Sequence, residues 1–312
     1  MPLNVGTIWN LPNFHGELYS ASPQNTPLLS IMGGINAGVI TPNFEFPTAV
    51  QYALAAPGQN VVSENAAFAA PAATSIQRAQ VFNTCQIHQA AVRVSYQKIA
   101  NLQRLTGLAT AGATPNPQDE LDWQIEQHLK QFANDIEFSF IQGAFVQAVN
   151  SGVVGQTRGM VQACALAGGT NINALGGALD LPQLQALWLA MFNAGADFED
   201  VILYVPANYK QTISGLYGFA PADRNVGGVN IQQIETDFGR VGVVASRYAP
   251  ANTVIAIDVA KTRPVFQEIP GKGILFYEDL AKVGAGDVGQ LYGHVGLDHG
   301  PAFSHGVVTN LA

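Results

Sequence analysis

The first 77 residues contain no Lys and no Arg, and their only charged side chains are Glu17, Glu45 and Glu64 in a background of Ala, Pro, Asn, Gly and scattered large apolar residues. Such a stretch lacks both the charged faces that solvate an independent fold and the net charge that keeps a disordered tail in water. It is therefore expected to lie on other protein. The next strongly patterned element, Pro117 to Asn150, reads as a long amphipathic helix, so an arm in need of a partner leads into a rigid strut. That is the pattern of a self-assembling subunit.

Only 12% of the 312 residues are charged while 48% are hydrophobic, so a large part of the surface should be covered. A membrane is not expected to supply the cover, because no run approaches the ~18 apolar residues of a spanning helix and the richest short stretch is Leu184 to Phe192. Burial between subunits remains. The start MPLNVGTIWN has neither the basic head nor the apolar run of a signal peptide, which makes cytoplasmic synthesis the expectation. Cys85 and Cys164 stand outside any CxxC or cysteine-protease context and are expected to be buried thiols. A net charge of -8 argues against a basic footprint for gripping nucleic acid, although it is compatible with a wall that merely faces DNA.

Residues 1 to 44 read as an extended arm punctuated by Pro2, Pro12, Pro23 and Pro27, with Trp9, Leu11, Phe14, Leu28, Leu29 and Ile31 as anchors. Residues 44 to 100 read as a long hairpin. A strand around Glu45 to Leu54 and an Ala/Pro/Asn/Ser-rich tip from Ala55 to Thr74 precede a period-two return through Val92, Val94 and Tyr96. Arms of roughly twenty residues would reach roughly 60 to 70 Å. In the long helix Asn116 is the expected cap, and Leu121, Ile125, Leu129, Phe132, Ile136 and Phe140 form the buried stripe. Unbroken to Asn150 it would span about 50 Å, with Gly143 its weakest point. A second helix starts near Asp180 with Leu184, Leu187, Trp188, Met191 and Phe192 on one stripe and ends at Gly195. Val201 to Val205 predicts a buried strand, Pro206 to Leu216 a helix and Phe219 to Val229 a polar loop. Val241 to Val244, Val254 to Ile257 and Ile274 to Tyr277 predict short strands, and Val288 to Leu311 returns to the first half. The sum is an α+β body.

VRVSYQKIANLQRLTG at 92 to 107, DELDWQIEQHLKQFANDIEFSFIQG at 119 to 143, TRGM at 157 to 160 and IETDFGRVGVVASRYAPANTVIAID at 234 to 258 follow one another in a telling order. Together they resemble the major capsid proteins of tailed double-stranded DNA bacteriophages, with the Hong Kong 97-type fold. The resemblance implies an N-arm at 1 to 44, an E-loop at 45 to 100, and a P-domain at 101 to 179 with a spine helix at 117 to 150. It further implies an A-domain at 180 to 282 and a return to the P-domain at 283 to 312. The function it implies is a non-enzymatic shell subunit without cofactors, forming pentamers and hexamers of an icosahedral shell around DNA that it does not read. Its partners would be its own copies, a portal, a separate scaffolding protein and a decoration protein, and its place the virion capsid, assembled in the host cytoplasm. Lysine-based cross-linking at the loop tip is not expected, since the first lysine is Lys98.

Alternative readings attach to particular residues. An encapsulin-like compartment would hold protein cargo within the same fold. A metal-dependent enzyme would use His294, Asp298, His299 and His305, although HVGLDHGPAFSH lacks the spacing of a zinc motif. The glycines at 168, 169, 176 and 177 lack a phosphate-loop ending, and Asp119, Glu120, Asp122 and Glu126 suit a helix dipole. For contacts between subunits the candidates are Arg78, Arg93, Arg104 and Arg158, pairing with Glu64, Asp135 or Glu137.

Overall fold

The computed structural model of the chain describes residues 25–52, 54, 57–59, 61–70, 73–98, 120–217, 223–226 and 229–312. The anchors Trp9, Leu11 and Phe14, and Arg104, lie outside them. The first half carries helix α1 (Pro27–Ile31), strands β1 (Val39–Thr41) and β2 (Glu45–Tyr52), and the short helix α2 (Glu64–Ala67). It continues through β3 (Arg78–Thr84), β4 (Gln86–Ser95), the long helix α3 (Glu120–Gln142), helix α4 (Met160–Cys164) and β5 (Thr170–Asn173). The second half brings helix α5 (Leu181–Ala194), β6 (Val201–Val205), helix α6 (Ala207–Tyr217), β7 (Asp223–Val226), β8 (Val229–Thr236), β9 (Gly239–Ala245) and β10 (Val254–Asp258). Last come β11 (Arg263–Gln267), β12 (Leu275–Asp279), β13 (Gly286–Asp298) and β14 (Gly306–Thr309).

The strands form two large sheets and one separate ribbon. A seven-stranded sheet runs in the order β5-β14-β10-β6-β9-β8-β7. Its central strands read as continuous apolar runs because both faces are covered. Alternate residues of β6 and β10 point to opposite sides: Leu203, Val205, Val254 and Ala256 join Leu184, Leu187, Trp188 and Met191 of α5 and Ile213 of α6. Tyr204, Ile255 and Ile257 instead join Leu28 and Met32, Ile136 and Phe140 of α3, and Met160 of α4. The five-stranded sheet is built on β13. β4 runs antiparallel along it from Gly286↔Ser95 to Val295↔Gln86, while β12 and β11 pair with successive parts of its other edge and β1 adds parallel to β11. The ribbon is β2 paired with β3 alone, with a register shift between Pro47 and Ala49.

Several sequence expectations change here. The hairpin closes at Thr84, and the period-two stretch 86–95 belongs to the five-stranded sheet, with Val92 and Val94 buried and Arg93 and Ser95 exposed. The arm is not wholly surface for a partner: Leu28, Leu29, Ile31 and Met32 fill this chain's own main core, and β1 completes its own sheet. Removing residues 1 to 77 would therefore remove part of the body. On α5 the first four stripe residues are buried, whereas Phe192 is 54% exposed and stacks on Phe238 at 4.9 Å. The stretch expected as a polar loop near 219 to 229 contains β7.

Helix α5 has the ends its sequence signals, with Asp180 accepting from the amide of Gln183 at 2.9 Å and Gly195 closing it in the left-handed conformation, φ 98°. The long helix stops at Gln142, one residue before Gly143, instead of running to Asn150. Here the backbone of the strand-like segment after the helix passes at contact distance. Gly159 donates to the Gly143 carbonyl at 2.8 Å, and a Cβ on Gly143 would stand 2.3 Å from the Ser139 oxygen and 2.5 Å from the Thr157 oxygen. The gap admits only glycine. Gly143→Ala is expected to destabilise the subunit by about 3 kcal/mol in denaturant titration. Gly215→Ala, on an exposed turn of α6 with open space around it, should add up to about 1 kcal/mol.

Candidate assembly surface and hairpin joint

The β2–β3 ribbon carries an exposed apolar surface that no element of its own chain covers among the described residues. Val50 and Tyr52 on β2 are exposed, as are Leu54, Val62 and Ile76 near the tip, and Val61 and Phe68 reach 83% and 84% exposure. The short helix α2, capped by Ser63 accepting from the Ala66 amide at 3.2 Å, turns the tip back. Between Glu45 and Ile76 the only charged side chains in the sequence are Glu45 and Glu64. Exposed apolar side chains with so little charge among them have the composition expected of a contact surface.

The ionic candidates separate into two groups. Glu64, Arg78 and Arg93 are exposed, on α2, at the start of β3 and on the outward face of β4, and Asp135 is exposed while accepting from Gln131 at 2.8 Å. Glu137 and Arg158 are directed inward, which corrects their assignment to contacts between subunits. Arg158 is 8% exposed, donates through Nη1 to the Phe82 carbonyl at 2.9 Å and lies 4.3 Å from the centre of the Phe145 ring.

Glu137 has 0% exposure. Its Oε1 accepts from the Leu28 amide and its Oε2 from the Leu29 amide, both at 2.8 Å, and the Tyr204 hydroxyl donates to Oε1. These amides open α1, where Thr26 makes no side-chain cap, so a carboxylate more than a hundred residues away does the capping. Burial pushes the Glu137 carboxyl up, against the downward pull of Tyr204 and the two amides. One side chain thus joins the arm, the long helix and the seven-stranded sheet.

A second hub sits where the ribbon leaves the body. Asn83 is fully buried at the end of β3, and its amide uses all of its hydrogen-bonding capacity. Nδ2 donates to the Leu297 carbonyl at 2.7 Å and the Arg158 carbonyl at 3.3 Å, while Oδ1 accepts from the amides of Arg158 at 2.8 Å and Thr84 at 2.9 Å. Thr157 Oγ1 accepts from the Leu297 amide at 3.1 Å. Sequence reasoning passed over Asn83, since an Asn in a strand gives no signal until its partners from residues 158 and 297 are beside it.

The SU10 major capsid protein family model matches residues 1–312. The chain belongs to that family. No curated protein matches it in sequence. Among solved structures it is similar to the cyanophage A-1(L) capsid, with 12% identity, TM-score 0.65 and 95% of each chain covered. It is also similar to the capsid of the native GTA particle, at 12% identity and TM-score 0.59 over 97% of this chain and 96% of that one. The holo-SrpI encapsulin of Synechococcus elongatus PCC 7942 matches at 14% identity and TM-score 0.55, covering 95% of this chain and 92% of that one. At these identities the likeness shows the fold, the Hong Kong 97-type fold of tailed-phage capsids in its α+β form.

In the capsid subunit the C-terminal histidines serve the backbone. His305 accepts the Asp258 amide at Nδ1, 3.1 Å, and its Nε2 lies 2.6 Å from the His299 carbonyl, which fixes the neutral tautomer protonated at Nε2 and leaves no lone pair for a metal. The His299 Nδ1 donates to the Gly300 carbonyl at 2.8 Å, and His294 bridges Tyr292 and Gln267. Among the described residues no three His, Cys, Asp or Glu side chains form a group that could hold a metal. Cys85 and Cys164 are free, buried thiols pushed up to about 12 by burial.

Two measurements follow from the capsid subunit's buried groups. Glu137→Gln turns an NH₂ toward an amide that needs an acceptor and should cost about 2 kcal/mol, with hydrogen exchange at Leu28 or Leu29 accelerated more than in the sheets. Burial lowers both His299 and His305 to about 4. Their stabilising contribution is complete above the unfolded value near 6.5 and is lost as pH falls through the folded value, by up to about 3 kcal/mol each. Glu137, raised by burial, works with the opposite sign. Thermal melts of the subunit should fall between pH 6.5 and 4, and the slope should flatten in His299→Gln/His305→Gln.

Proposed function

We propose that this capsid protein is a non-enzymatic shell subunit that forms pentamers and hexamers and closes them into an icosahedral shell around double-stranded DNA. What carries the reading is the exposed apolar ribbon of a chain whose family match spans its whole length. In this reading the ribbon and tip at 45 to 84 form the working part of the E-loop, α3 is the spine of the P-domain, and the seven-stranded sheet with α5 and α6 forms the A-domain. The E-loop tip lies on neighbouring copies. Many weak apolar contacts of this kind become cooperative when a single subunit engages several neighbours at once. Glu64, Arg78 and Arg93 are the exposed charges placed to pair across those contacts. DNA is enclosed without sequence reading, in keeping with a net charge of -8. A portal, a separate scaffolding protein and a decoration protein are its further partners, and assembly takes place in the host cytoplasm before the protein resides in the virion.

The encapsulin-like reading keeps one support, the fold shared with the SrpI encapsulin. The contents of purified particles decide between the two. Negative-stain microscopy of the purified protein, alone and with the products of its neighbouring genes, should show closed shells or capsomer rings, with nucleic acid inside particles recovered from infected cells. Protein cargo in its place would select the compartment, and monomers under every condition would remove both readings. Val61→Asp/Phe68→Asp should leave the melting temperature within a few degrees, since both side chains are exposed, yet reduce closed shells at least tenfold.

A further inference from the structure

The β2–β3 ribbon meets the body at the end of β3. Its two strands pair with each other and with neither large sheet. Beneath its root lies a small apolar cluster of Phe46, Cys85 and Val265 with Phe44 against it, separate from the two main cores. Glycines make room for these rings: a Cβ on Gly296 would stand 2.8 Å from Phe46, and one on Gly155 would stand 2.8 Å from Phe44. The specific polar connection is the Asn83 amide. It ties the end of β3 to the segment after the long helix, through both backbone groups of Arg158, and to the end of β13, through the Leu297 carbonyl.

We propose that Asn83, supported by Thr157 and Arg158, is the positioning residue that sets the direction in which the β2–β3 ribbon leaves the subunit, so that this joint acts as a single hydrogen-bonded hinge. The geometry explains why one side chain suffices. A ladder of strand pairing would hold the ribbon by many equivalent bonds and permit slippage by register, whereas an amide with four bonds to three chain segments defines one arrangement. Arg158 adds the reverse tie, its guanidinium reaching the Phe82 carbonyl from the other side of the joint. Loosening these bonds frees the ribbon as a unit and leaves both large cores packed. The consequence for assembly rests on the shell reading above: a subunit whose ribbon has no fixed direction meets its neighbours at the wrong angle, and the shell closes poorly.

The test uses the full chain and three substitutions. Asn83→Ala removes the hub, Arg158→Met removes the Phe82 tie while leaving the backbone bonds to Asn83, and Val243→Ala lowers stability from inside the seven-stranded sheet, away from the joint. Native-state hydrogen exchange on free subunits is expected to show at least tenfold faster exchange at Thr84 for Asn83→Ala, and faster exchange along β3 for Arg158→Met. Amides of β6 and β9 should keep wild-type protection in both. In parallel assembly reactions the two joint variants should give open or irregular particles, and Val243→Ala, matched or lower in melting temperature, should give normal ones. Uniform acceleration across all strands, or unchanged exchange at the root, would overturn the hinge. So would normal shells from both joint variants. If Asn83→Ala fails to fold, Arg158→Met decides. If the wild-type protein itself forms no shells, the shell reading fails, and the hinge is judged by exchange alone.

Discussion

Everything in this subunit is arranged around a carboxylate in a place where a carboxylate is costly. Glu137 lies in the apolar space between the long helix and the seven-stranded sheet, and a buried anion without partners would cost several kcal/mol. Its three donors come from elements remote in sequence, the opening turn of α1 and Tyr204 in the middle of β6. Their requirements are mutual. The α1 amides lack a local cap, Tyr204 lacks another described carboxylate partner, and the carboxylate lacks water, so all three are satisfied only when the arm segment, helix and sheet are together. Apolar packing of Leu28, Leu29, Ile31 and Met32 supplies the attraction, and Glu137 restricts it to one geometry.

The same division recurs at the hairpin joint. Phe44, Phe46 and Cys85 provide a small amount of apolar burial, and Asn83 defines the direction. Apolar contact is indifferent to small rotations, while a four-bonded amide is not. A shell subunit needs both properties in different places: rigid internal geometry, so that curvature is defined, and outer contacts weak enough to be made and corrected during assembly. The inward-facing polar groups of this chain serve the first need, and on the reading proposed above the charge-poor ribbon serves the second.

Much of this was legible in the sequence where the signal is local. Asp180 and Gly195 bracket α5, and the VILYV run announces a strand buried on both faces. What misled was distance along the chain. The period-two pattern through Val92 and Val94 marks a strand that ends at Ser95, before Tyr96, but nothing near it says that its partner is β13, nearly two hundred residues later, instead of β2. Gly143 was visible as the weak point of the long helix, yet its role as a helix end depends on Gly159 packing against it. Glu137 and Arg158 were read as ionic candidates because a sequence shows charge and not burial. Asn83 gave no signal at all, since Arg158 and Leu297 come beside it only in the fold.

The distribution of cations carries the argument one step further. Lys98, Lys130, Arg240, Lys261, Arg263, Lys272 and Lys282 are held in ion pairs within the chain, and Arg158 and Lys210 donate to carbonyls. Several of those pairs are exposed, where each contributes little to stability. Among the described residues Arg78, Arg93 and Arg247 remain exposed outside those pairs. With cations outnumbered by carboxylates, long-range attraction between copies is weak, which favours shape and apolar fit at short range. On the shell reading proposed above, shape and apolar fit then act beside the exposed Glu64, Arg78 and Arg93, and accurate assembly leans on the internal bonds that fix the ribbon and α1.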